Sequence, residues 1–62
     1  MTEYTITMAK KRDIENYYEG SNSYFKTIEV EVEANNTEEA IEMVKGYKGM
    51  VAWKVDGTEV WG

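Results

Sequence analysis

The chain is predicted to fold as one α+β domain over residues 1–62, with a single antiparallel-rich sheet, element order β-β-α-β-β, and one helix packed on one face. Three observations carry that expectation. The stretches EYTITMA and IEVEVEA alternate apolar and polar residues with the period of two that a half-buried strand requires. After the second of them, TEEAIEMV changes to helical spacing. The tail MVAWKVDGTEVW sets Asp-Gly between two alternating runs, a strong hairpin signature.

In the first strand, Tyr4, Ile6 and Met8 share one face and Thr5 and Thr7 the other. The next stretch, KKRDIENYYEGSNS, loses the alternation and ends in Gly20, Ser21, Asn22 and Ser23, residue types that favour turns. It reads as a long, partly ordered connection. Two alternatives stay open: the first strand extends toward Tyr18 in a long hairpin, or residues 11–18 form a short helix.

The second strand is expected from about Tyr24 to Ala34, with Ile28, Val30, Val32 and Ala34 on one face and Phe25, Thr27, Glu29, Glu31 and Glu33 on the other. Alternate side chains on a strand repeat about every 6.7 Å, so the three glutamates form a row about 13 Å long. The segment Asn36-Thr37-Glu38-Glu39 is close to a capping box and puts acids where the helix dipole favours them, so a helix should begin at Asn36 or Thr37. Ala40, Ile41, Val44 and Tyr47 make its apolar stripe, and Lys45 and Gly46 mark its approaching end.

At the hairpin, Asp56 and Gly57 must both take positive φ. The register then sets Val55 opposite Thr58, Lys54 opposite Glu59, Trp53 opposite Val60 and Ala52 opposite Trp61. Strand parity sends Val51, Trp53, Val55 and Val60 to the core and turns Ala52, Lys54, Glu59 and Trp61 outward. A right-handed crossover with room for the first strand inside it gives the strand order 2-1-3-4, with the third strand directly beside the second as the alternative.

Composition bounds the function. A chain this short buries only about 60% of the surface its unfolded form exposes, so a closed ligand pocket of about 300 Å³ or more would consume most of its core. Cysteine and histidine are both absent, which removes disulfides, thiolate and imidazole metal ligands and the commonest general base. Catalysis is not expected, and neither is a cofactor or a bound metal. Glu38, Glu39 and Glu42 read as helix-dipole complement and Asp56-Gly57-Thr58-Glu59 as a turn, each lacking a full set of calcium ligands. A reducing cytoplasm fits the lack of staples. The N-terminus has no long apolar core of a signal peptide, and no apolar run approaches the roughly 18 residues of a membrane span.

The net charge of -5 is uneven. Glu3 against Lys10, Lys11 and Arg12 leaves residues 1–12 at +2, whereas nine acids against Lys26 and Lys45 leave residues 13–45 at -7. Such a segment is repelled by nucleic-acid phosphates and by anionic membranes, so neither is an expected partner.

The run VEVEANNTEEAIEMVKG, a strand ending in Glu-Ala, a polar link and Glu-Glu-Ala-Ile on a helix, resembles a motif of small β-β-α-β proteins of phages and mobile elements, among them the DpnD/PcfM-like domains. Its layout is also similar to that of the phage T7 RNA polymerase inhibitor. The likeness covers roughly residues 24–55, and the chain departs from it in the Tyr-rich connection and the terminal hairpin. What the resemblance implies is an accessory protein that works by binding another macromolecule.

One Phe, two Trp and five Tyr are more rings than so small a core can enclose. Phe25 and Trp61 fall by parity on the face away from the helix, with Tyr17 and Tyr18 in the connection beside it. They either cover the open sheet, close a homodimer, or anchor a partner. The expected partner-binding residues are Phe25, Glu29, Glu31, Glu33, Trp61, Tyr17 and Tyr18. The expected function is that of an acidic, phage-encoded effector that inhibits or modulates a host nucleic-acid enzyme or defence protein by occupying a basic surface. A DNA mimic and a self-associating assembly module are the alternatives.

Overall fold

A computed structural model describes residues 1–20 and 25–61 of the chain. Strand β1 spans Thr2–Ala9, helix α1 Lys11–Glu19, strand β2 Ile28–Ala34, helix α2 Thr37–Met43, strand β3 Val51–Val55 and strand β4 Thr58–Glu59. The strands form one sheet in the order β2-β1-β3-β4, with every neighbouring pair antiparallel. The fold is α+β, and the strand order is the one that a crossover around β1 requires.

The face beneath α2 follows from the alternation. Ile6 and Met8 on β1 form one buried cluster with Ala34, Ala40, Val44 and Val55, and the half-buried Val30 and Ile28 that stand opposite them on β2 pack against it. Helix α2 begins as its sequence dictates, because the Asn36 side chain accepts the Glu39 backbone N–H at 2.8 Å while the Glu39 carboxylate accepts from Asn35. It ends one turn earlier than its apolar stripe. Gly46, at φ 77°, reverses the chain, so Tyr47 lies in a 3₁₀ turn over Tyr47–Gly49 and is exposed rather than packed with Ala40 and Val44.

The hairpin turn has the expected geometry, with Asp56 at φ 50° and Gly57 at φ 85°. Lys54 stands opposite Glu59 and Val55 opposite Thr58, and the Val60 N–H donates to the Trp53 carbonyl. Asp56 pins the turn to β1: its N–H donates to the Thr5 carbonyl at 2.8 Å and its carboxylate accepts the Thr5 N–H at 2.9 Å.

Three expectations are corrected. Residues 11–19 are helical, the reading that had stood as an alternative to a partly ordered connection, so the sheet carries a helix on each face. Strand β2 starts at Ile28 and not near Tyr24, because β1 ends at Ala9, one residue beyond the Met8 that pairs with Ile28, and offers nothing further to pair with. Phe25 and Thr27 therefore precede the strand; Tyr24 and the turn cluster Ser21, Asn22 and Ser23 lie outside the described residues.

The third correction concerns Trp53. The β1–β3 register shifts between Thr7 and Met8, so Lys54 faces Thr7 while Ala52 faces Met8, and Trp53 is the extra residue of a bulge. Strand parity reverses there. Val55 and Ala52 pack with the α2 cluster, whereas Trp53 and Val51 join Ala9 and Ile14 in a second cluster beneath α1. Val60, which strand parity alone had sent to the core with Trp53, is 36% exposed.

Candidate functional site

The face of the sheet that carries α1 has two halves. In one, Trp53 is 7% exposed and sits among rings: Phe25 at 5.1 Å and Tyr17 at 5.5 Å between centroids, with Tyr17 in edge contact with both Phe25 and Tyr18. Helix α1 provides Ile14, Tyr17 and Tyr18 at spacings of three and four, one stripe that crosses β3 toward β4. The Trp53 Nε1–H donates to the Tyr18 oxygen at 3.0 Å, and the Tyr18 hydroxyl donates to the Glu59 carboxylate. That last bond, made to an anion, raises the Tyr18 pKa above its ordinary value; the bond from Trp53 partly opposes it. Lys54 completes this half with its ammonium 4.4 Å from the centre of the Trp53 ring.

In the other half nothing among the described residues covers the sheet. Glu29, Glu31 and Glu33 are exposed, and their β1 neighbours on the same face are Thr7, Thr5 and Glu3. Glu33 thus stands directly opposite Glu3, a like-charge pairing that costs stability. Lys54 is the nearest cation across the sheet by register, yet it is two strands from Glu29, about 10 Å at the usual strand spacing and roughly one Debye length away. It lies over Trp53 instead. The sheet gives the carboxylate row little neutralisation.

Of the residues singled out in the sequence, Glu29, Glu31 and Glu33 form the bare half, while Phe25, Tyr17, Tyr18 and Trp61 gather at the other. Phe25 and Trp61 are half-buried against the Trp53 cluster, and Tyr17 and Tyr18 are 38% and 46% exposed. The residue missed was Trp53, which organises all four, together with Ile14, which fixes α1 above it. The signal for α1 was present in Ile14, Tyr17 and Tyr18 followed by Gly20, which ends the helix at φ 79°.

On the opposite face, a groove of about 300 Å³ opens between α2 and β3, lined by Ile41, Glu42, Lys45, Gly46, Val51 and Ala52. Its charged side chains, Glu42 and Lys45, come from one side only, the end of α2 and the residues just after it. Among the described residues no three Asp or Glu side chains are placed to hold a metal ion, and Glu39 is occupied as a helix cap. No helix is long and apolar enough to cross a membrane among these residues.

Fold and surface together define a small α+β protein with one half of a sheet face left bare and acidic. Compared with protein-family models, curated proteins and solved structures, the chain matches none.

Proposed function

We propose that this chain is a binding protein whose bare, acidic half-face docks on a basic surface of another protein, the kind of surface that nucleic-acid enzymes and nucleases turn toward phosphate. The observation that supports this most is the Glu29, Glu31 and Glu33 row, exposed and set against two threonines and a fourth glutamate. Folding gains nothing from charges so arranged, whereas association with a cationic surface gains in on-rate and orientation. The partly exposed rings of Tyr17 and Tyr18 lie on the same face of the sheet, over β3 toward β4 with β1 between them and the row, and add apolar surface to that face. A phage-encoded inhibitor of a host enzyme or defence protein is the biological role that such a surface serves.

The test is affinity capture from the natural host followed by mass spectrometry, with the triple variant Glu29→Gln, Glu31→Gln, Glu33→Gln run in parallel. A partner with a basic surface should be retained by the native chain, released by moderate salt and not retained by the variant. Retention of the same partner by the variant at low salt would overturn the reading.

A further inference from the structure

The free edge of the sheet lies along the same glutamates. Among the described residues strand β2 is the outermost strand on its side, seven residues long, paired with β1 through seven consecutive positions without a bulge and free of Pro and Gly. An edge of that kind is a template for a further strand. Which residues own its unpaired backbone groups follows from Thr5. Its carbonyl accepts from Asp56 on the β3 side, so the backbone of Thr5 faces β3 and that of its neighbours Tyr4 and Ile6 faces β2. Tyr4 and Ile6 pair with Val32 and Val30, which therefore turn their N–H and C=O groups inward. Those of Glu29, Glu31 and Glu33 point out of the sheet.

We infer that β2 accepts, as a fifth and antiparallel strand, an extended segment of a partner protein with a basic residue at every second position. In an antiparallel pair, residues that exchange both hydrogen bonds stand directly opposite one another with their side chains on the same face. Each basic residue would thus bond to the backbone of a glutamate and meet its carboxylate at once. The alternate residues of the segment would be apolar, since they extend the half-buried row of Ile28, Val30 and Val32 beneath α2. A second copy of this chain does not fit: antiparallel pairing centred on Glu31 sets Glu31 against Glu31 and Glu29 against Glu33. The recognition mode is strand addition, in which main-chain bonds give affinity and alternate side chains give specificity.

This inference rests on the acidic-face reading, and its test separates the two. Three seven-residue peptides of alternating Lys and Val are titrated into the full chain: one unmodified, one N-methylated at every Lys amide and one at every Val amide. The unmodified and Val-methylated peptides should bind alike and slow hydrogen exchange at the Glu29, Glu31 and Glu33 amides. The Lys-methylated peptide should bind about tenfold more weakly or worse, the loss expected from removing several backbone hydrogen bonds of modest net worth. Equal binding by the Lys-methylated peptide, abolished by the triple Gln variant, would overturn strand addition and leave the acidic-face reading standing. Binding of every peptide unaffected by the triple variant, or no binding at all, would overturn both.

Discussion

Beneath α2 the sheet buries many small and branched aliphatic side chains, whereas beneath α1 it buries one large ring, Trp53, with other rings arranged around it. The aliphatic layer is distributed over β1, β2, β3 and α2, and no single member dominates it. The aromatic cluster is concentrated: Tyr17 and Phe25 reach it through ring contacts, Tyr18 through a hydrogen bond, and α1 has Ile14 as its one buried residue. A protein of this size has little stability to spare, so the two faces should respond very differently to single substitutions.

Trp53→Ala should have the largest effect. Truncating a buried Trp costs about 3–5 kcal/mol, comparable to the roughly 3–5 kcal/mol that a core this small supplies in all, so the variant should show no cooperative melt by circular dichroism. On the α2 face, Ile6→Val should cost only about 0.5–1.5 kcal/mol and keep a cooperative transition. If Ile6→Val proves the more damaging of the two, the contrast between concentrated and distributed burial is wrong. Asn36→Ala removes the cap of α2 and should cost about 1 kcal/mol in a chemical melt, without altering the near-ultraviolet signal of the Trp53 cluster.

Tyr18→Phe sharpens the comparison through pH. The Tyr18 hydroxyl must be protonated to donate to Glu59, and its folded pKa lies above the ordinary value. Its contribution is therefore fully present below a pH of about 10 and is lost as pH climbs through the raised folded pKa. Stability measured against pH should fall less steeply on the alkaline side in Tyr18→Phe than in the native chain. Identical alkaline limbs would mean that the hydroxyl does not tie α1 to β4.

These differences also explain what could be read from the sequence. Strand β1, the alternating Ile28–Ala34 part of β2, the Asn36 cap and the Asp56-Gly57 turn are local: each is written in a few adjacent residues and appears where the pattern places it, whereas the expected extension of β2 back toward Tyr24 does not form over Phe25–Thr27. Helix α1 was harder because its start carries no side-chain cap and sets Lys10, Lys11 and Arg12 at the end of the dipole that disfavours cations. The face of Trp53 was not legible at all. It depends on a register shift between β1 and β3, a non-local event with no Gly in β3 to mark it, and Val51, Trp53 and Val55 look like one uninterrupted alternation. For the bare acidic half-face, the glutamate row was visible as a row, but how little the sheet neutralises it was not. That required knowing that β1 presents Thr7, Thr5 and Glu3 beside it, and that Lys54 rests on Trp53.

The smallest expected effect on folding bears on the largest claim, that the two halves of the α1 face have separate duties: rings that hold the helix, and carboxylates that serve a partner. The most direct measurement is the thermal melt of the triple variant Glu29→Gln, Glu31→Gln, Glu33→Gln at low ionic strength, where like-charge repulsion is least screened. A row without structural duty predicts a Tm equal to or above that of the native chain, because repulsion within the row and against Glu3 is relieved. A lower Tm would show that the carboxylates stabilise the fold, and would contradict the assignment of this half-face to binding.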